Sequence, residues 1–385
     1  MTNKNQITFS DIKQEETSFD VKVFNTQKSD YYTPKLFSGQ PPGVFNTITL
    51  AYPKIETYFK KLKAQDWDEQ ETLENSDSKQ LFEILPEKQT QPMIRTLGFQ
   101  WETDTIIGRT LAIFGAMGAT SDQLFEIYMR IVDNENLHAR TYSEIIKMSF
   151  DDVEKVLTDI LNARETIQRL SKAGEVFSRV RRMLCEVELG IRQRDEYYYR
   201  DIYLMLVTIY CVERIQFLSS FAITFLYGEN GLFMEICNSV KRICQDEYEI
   251  HVRLGRFLIQ NYAEDAITHE GVRLAQPFIK EILDEIFQAE MVSLDYQMET
   301  VKDEGLFGKS VSDIQSWVKF CSTSVYNLFE IETPYEKTDS HRLDYMKNWV
   351  NIDDFQQSPQ EEASIAYIMA PLIRDDKNKV YEIKF

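Results

Sequence analysis

Proline is missing from the centre of this chain: none of its ten prolines lies between Pro92 and Pro277. Proline removes a backbone donor and breaks helices. Its absence from a stretch rich in Leu, Ile, Glu, Arg and Met therefore predicts consecutive long helices. Cysteine is also sparse. The five are Cys185, Cys211, Cys237, Cys244 and Cys321; the number is odd, no Cys-x-x-Cys pair occurs, and most sit in apolar stretches. That pattern excludes a disulfide framework and fits reduced, packed thiols in a cytoplasmic setting. Basic residues are outnumbered, with 43 Lys and Arg against 62 Asp and Glu and a formal net charge of −19. Nucleic acid is therefore excluded as the main partner, since phosphate binding needs an excess of cations. No run of about 18 apolar residues exists to cross a membrane. The polar start, Met1 to Asn5, lacks the apolar segment of a signal peptide.

What is present is apolar and aromatic. Residues of the apolar class make up 43%, including 24 Phe and 20 Tyr, enough for a sizeable core. The pattern places helices at 50–65, 89–118, 121–149, 151–170, 173–193, 196–227, 231–261, 275–304 and 309–332, with no persistent strand signal. Gly118 ends the second, Thr120 with Gln123 forms a capping box for the third, and Gly228-Glu-Asn-Gly231 separates two others. Helices of this length joined by short turns pack as antiparallel neighbours in a bundle. Residues 1–35 read as a polar arm, 36–333 as one helical domain, and 334–385 as a mobile polar tail.

Four of these helices carry polar residues that do not suit a core. Glu135, His138 and Tyr142 lie at i, i+3 and i+7, on one helix face. Alone, that pattern also suits a solvated face. Glu213 sits mid-helix with Phe217 and Phe221 on its own apolar side. An ionised carboxylate buried there costs several kcal/mol unless an inward Arg or a metal compensates. Glu247 and His251 share a face at i, i+4, and Asp104 precedes a long apolar run. Taken together, four helices each bring an inward carboxylate, and two add a histidine one turn on, although the whole chain has only four His. Ferritin-like di-metal carboxylate proteins use this arrangement. The expected fold is therefore all-α, a ferritin-like long-helix bundle with additional helices. An oxygen- and nitrogen-rich set around two ions suits iron or manganese better than zinc or calcium.

At these residues the sequence resembles the small, radical-generating subunit of class I ribonucleotide reductase, from about Leu36 to Tyr367. The segments that carry the resemblance are Leu36-Phe-Ser-Gly-Gln-Pro41, Asp104-Thr-Ile-Ile-Gly-Arg-Thr110, Glu135-Asn-Leu-His138-Ala-Arg-Thr-Tyr142, Glu213 through Phe221, and Pro359-Gln-Glu361. The resemblance implies that Asp104, Glu135 and His138 hold one metal and that Glu213, Glu247 and His251 hold the second. The pair would be di-iron, with iron–manganese and di-manganese as alternatives. Reaction of the reduced metals with dioxygen would make Tyr142 a stable phenoxyl radical, in an apolar pocket of Phe217, Phe221 and Ile243. Trp67, Asp246, His138 and Tyr367 would relay the oxidising equivalent to a large subunit, which reduces ribonucleotides to deoxyribonucleotides. Asp246 would accept a hydrogen bond from the second nitrogen of His138.

The family pattern has Glu-x-x-His in its last metal helix, whereas Glu247-Tyr-Glu-Ile-His251 is one residue longer. A single π-bulge would absorb the extra residue and keep both groups inward; without one, Glu249 would compete as ligand. The family also implies a homodimer and a C-terminus that docks on the large subunit. The competing reading is a ferritin-like di-iron oxidase or monooxygenase acting on its own substrate. A peptide of residues 379–385 is expected to inhibit nucleotide reduction by competing for the large subunit. Unchanged turnover at saturating peptide would remove the docking role of this segment.

Overall fold

The structure is a computed structural model that describes residues 25–73, 78–337 and 340–350. Among these residues it contains helices and no β-strand, only an isolated bridge between Leu306 and Lys309. The main helices are α1 (Pro53–Ala64), α2 (Glu87–Gly118), α3 (Asp122–Ser149), α4 (Val153–Leu161), α5 (Arg164–Arg169) and α6 (Ser171–Glu188). They continue with α7 (Glu196–Glu229), α8 (residues 234–261), α9 (Ala266–Gln297) and α10 (Val311–Leu328). In the long-helix bundle α2 runs along α3, and α7 runs along α9.

Local chemistry explains most of the helix boundaries. Asp195 accepts from the Tyr198 amide to start α7, Asp265 and Thr268 cap α9 reciprocally, and Ser310 with Asp313 does the same for α10. The start of α3 differs from the sequence expectation. Ser121 is its cap, through the Leu124 amide, while the Thr120 hydroxyl donates to the Lys35 carbonyl and Gln123 bonds the backbone of Tyr52. Tertiary partners took the two residues that a local box would have used. The predicted helix 151–170 is divided in two by the extended backbone of Ala163.

Both flanking prolines lie inside helices. Pro92 leaves the Lys88 carbonyl without its helical donor, and the Thr300 hydroxyl supplies one at 2.6 Å. Pro277 lies well inside α9, which starts at Ala266, earlier than the predicted 275, because the Asp265 box nucleates it.

The apolar window of α7 is long enough to cross a membrane, but 94% of it is buried within the protein. Val207, Phe217, Phe221 and Phe225 are among its fully buried side chains. Residues 340–350, assigned above to the tail on composition, pack on the bundle through a few apolar anchors. The Tyr345 hydroxyl donates to the Ala222 carbonyl at 2.6 Å, and Trp349 stacks on Phe225 with ring centroids 4.8 Å apart.

Two features of the bundle bear on what it holds. Each of α7 and α8 contains a π-helical turn, Val212–Phe217 and Glu247–His251. The second is the bulge expected to absorb the extra residue in α8; the first had no length anomaly to reveal it. Glycines also allow close helix approach. A Cβ on Gly271 of α9 would lie 2.8 Å from the Tyr199 backbone carbon of α7. Gly271→Val is therefore expected to cost about 1–3 kcal/mol through overpacking, read as a lower denaturant midpoint at unchanged slope. An unshifted midpoint would contradict this close packing of α9 on α7.

Candidate metal centre

Asp104 on α2, Glu135 and His138 on α3, Glu213 in the π turn of α7, and Glu247 and His251 in that of α8 converge in the bundle core. They form two overlapping groups whose ligand atoms all lie within 4.8 Å of one another. One is Asp104, Glu135, His138 and Glu247; the other is Glu135, Glu213, Glu247 and His251. Glu135 and Glu247 belong to both. The sequence assigned three ligands to each ion; the geometry places two carboxylates between the two sites. The His138 Nδ1 atom lies 3.1 Å from Glu247 and 3.8 Å from Asp104, and His251 Nδ1 lies 2.6 Å from Glu247 and 3.3 Å from Glu135.

Helix geometry sets this convergence. Glu135 and His138 sit one turn apart on α3, and Gly108 of α2 lies opposite, where a Cβ would come within 3.1 Å of the Glu135 Cβ. The absent side chain is what lets α2 and α3 close on the cluster. In α8 the wide turn carries Glu249 away from it, to ion pairs with Lys61 of α1 and Arg253. Glu249 is thus removed as a rival ligand by charge partners on the other side.

The chemistry of these donors calls for cations. All four carboxylates are fully buried, and none of their oxygens has a hydrogen-bond partner; nor does Nδ1 of either histidine. Close distances without donor alignment are what remains when groups are arranged around a point rather than toward each other. Four negative charges and two neutral imidazoles balance two divalent ions, and the donor set fits iron or manganese. Burial, then the charge of Glu135, pushes Asp104 well above the carboxylate range; burial, then Glu247, does the same to Glu213 and raises Glu135. Burial would raise Glu247 too, but the adjacent histidines outweigh it and hold that residue low. His251 is pushed up to about 10, because Glu247 and Glu135 overcome its burial.

Around the cluster the other expected residues take definite places. His138 Nε2 faces Asp246 Oδ2 at 3.2 Å, and the Trp67 indole N–H donates to the same oxygen at 2.9 Å. Asn134 also donates to it, at 2.9 Å. The sequence reading missed Asn134, although its position four residues before His138 put it on the same face. Tyr142 is fully buried, and its hydroxyl has no partner. Burial first and then the Asp104 charge hold that phenol well above its usual range. Phe217, Phe221 and Ile243 are each fully buried, with Phe217 and Phe221 ring centroids 5.7 Å apart. Tyr367 lies outside the described residues.

These shifts set how the metal-free chain responds to pH. Asp104, Glu135 and Glu213 are raised on folding, so the stability of their neutral forms is complete below ordinary carboxylate values and is lost as pH rises through their folded values. His251 adds a loss in the same direction, near 10. Glu247 acts oppositely, and its contribution is lost only in strong acid. With chelator present, the thermal midpoint is expected to fall as pH rises above 4.5, the unperturbed glutamate value. Saturating Mn(II) should abolish the fall, because metal affinity grows as ligands lose protons. A chelated protein whose midpoint is flat across that range would refute the burial argument.

Comparison with known proteins agrees with this geometry. A family model described as "Ribonucleotide reductase, small chain" matches residues 44–342. The ribonucleoside-diphosphate reductase subunit beta of Enterobacteria phage T4 is 23% identical over 93% of this chain and 97% of its own length. Subunit beta of reductase 1 from Escherichia coli O157:H7 is 21% identical over 91% and 95%. Among solved structures, the ribonucleotide reductase R2 subunit of Clostridium botulinum superposes with a TM-score of 0.70 at 15% identity, covering 86% of this chain and 98% of that one. The dimanganese(II) NrdF structure of Streptococcus sanguinis gives 0.62 at 12%, covering 80% and 99%. Those likenesses support the ferritin-like helical fold, and the matched span carries the family: the chain belongs to the ribonucleotide reductase small chains, a family of oxidoreductase subunits.

Proposed function

We propose that this chain is the small subunit of a class I ribonucleoside-diphosphate reductase, storing an oxidising equivalent on Tyr142 for use by a large subunit. Asp104, Glu135, His138, Glu213, Glu247 and His251 would hold two redox metals, with Glu135 and Glu247 between them. Di-iron is the favoured pair, and the same donors accept manganese in either or both places. The metals, with dioxygen, supply a one-electron oxidant that no ordinary side chain can provide.

The protein's own part is to place and protect the phenol. Tyr142 gives up an electron and its hydroxyl proton while sealed from water by Phe217, Phe221 and Ile243, all fully buried. The observation that carries the reading is the hydrogen-bonded chain of His138, Asp246 and Trp67, two contacts of 3.2 and 2.9 Å that meet on one carboxylate oxygen. A storage bundle or a self-contained oxidase has no use for a route that leads from a metal ligand to an indole. The route would continue to Tyr367 and the large subunit, in a cytoplasmic homodimer.

Anaerobic addition of Fe(II) followed by air is expected to produce a sharp tyrosyl signal in electron paramagnetic resonance. Tyr142→Phe should lose that signal and keep its metal. Truncation after Gln356 should leave the signal intact yet reduce nucleotide turnover to background. A radical that persists in Tyr142→Phe would move it to another residue, and turnover surviving truncation would favour an oxidase with its own substrate.

A further inference from the structure

Side chains take carbonyls at the end of the α7 π turn and just past it, two of them, Arg169 and Trp317, from other elements. Three successive backbone oxygens at its end each accept one. Gln216 accepts from Arg169 Nη2 at 3.0 Å, Phe217 from the Ser220 hydroxyl at 2.8 Å, and Leu218 from the Trp317 indole of α10 at 2.8 Å. The first is reciprocal, because the Gln216 side-chain amide donates to the Arg169 carbonyl at 2.9 Å. A π turn breaks the regular helical ladder and leaves carbonyls that need such partners.

Arg169 is not free to swing. It is the last residue of α5 and only 2% exposed, and its Nε and Nη2 donate to both oxygens of Glu290 on α9 at 2.6 and 2.8 Å. The guanidinium carbon also sits 3.3 Å from the ring centroid of Phe99 on α2. Phe99 in turn packs against Phe217, with centroids 6.0 Å apart. One buried fork therefore ties α5, α9 and the π turn together and packs, through Phe99, against Phe217. Buried ion pairs can often be replaced by apolar side chains of similar volume with little loss of stability, so stability alone does not call for this one. A planar five-donor group pinned by a bidentate carboxylate is instead a directional device. The direction matters here: reverting the π turn to regular helix rotates the following residues by about 100° relative to Glu213. Glu213 could then not face the metal site while Phe217 keeps its place between Phe99 and Phe221.

We propose that Arg169, set by Glu290, is a positioning residue for the metal–radical centre. It holds the π register of α7, so that Glu213 stays aimed at the metal site and Phe217 stays packed against Phe99. This rests on the function proposed above, and the test has two arms that separate the two claims. The double variant Arg169→Met with Glu290→Leu leaves no unpaired buried charge. Glu290→Gln keeps the shape and serves where the double variant does not fold. Arg169→Lys retains a cation without the fork.

The first arm is anaerobic Co(II) titration followed by visible absorption, which needs neither dioxygen nor a radical. The double variant is expected to keep wild-type helicity and bind one of its two cobalt ions about 10- to 100-fold more weakly, the size of loss seen when partners of metal ligands are removed. Glu290→Gln and Arg169→Lys should shift the same ion in the same direction by less. The second arm is the lifetime of the tyrosyl signal in the presence of hydroxylamine, which should shorten in the same order. Folded variants with wild-type cobalt affinity and spectrum would overturn the proposal. If the wild type forms no radical, the proposed function fails, and the cobalt arm alone decides the role of Arg169.

Discussion

Four carboxylates with no hydrogen-bond partner on any oxygen, buried together in a helical core, are the constraint around which the rest of the protein is arranged. Such a group is intolerable in a dry interior unless cations enter it. Asp104, Glu135, Glu213 and Glu247 come from four different helices, so the repulsion among them acts directly against the packing of the bundle. Two divalent ions would neutralise that repulsion and tie the four helices together. The folded state and the loaded state are thus coupled, and pH acts on both through the same side chains.

Holding six ligands at one depth makes demands that regular helices do not meet. α7 and α8 each give up regular geometry for one turn where a ligand is presented. Each distortion has an external partner: Arg169 on the α7 turn, and Lys61 of α1 drawing Glu249 away on α8. Asp246 shows the same division of roles. It is not among the clustered ligands, yet its Oδ2 gathers His138, Asn134 and Trp67, fixing the imidazole and extending the centre outward in one arrangement. Phe217 and Phe221 follow Glu213 on one helix, so the aim of that carboxylate and the packing of the two rings are set by one register.

Much of this was legible from residue order. The proline-free centre announced the long helices, and the rarity of histidine made two Glu–His pairs on separate helices informative. The surplus residue between Glu247 and His251, measured against the Glu-x-x-His pattern of the family that the sequence resembles, pointed to a bulge. What stayed hidden had no periodic signature. Arg169 ends a six-residue helix and looks like a surface cation in sequence, and Glu290 lies in a helix with many acids; only their meeting across the core gives either a role. Thr120 and Gln123 formed a plausible cap locally, yet the chain at Lys35 and Tyr52 took them for tertiary bonds.

By itself, the sequence determined the all-helical class, the six candidate ligands and the tyrosine beside them, because helical spacing converts residue order directly into shared faces. Tertiary structure alone decided that Glu135 and Glu247 belong to both ligand groups and that α7, with no length anomaly, also widens into a π turn. Those outcomes depend on which side chain from a distant helix arrives within hydrogen-bond range. That is a property of packing in three dimensions and leaves no trace in the spacing along any one helix.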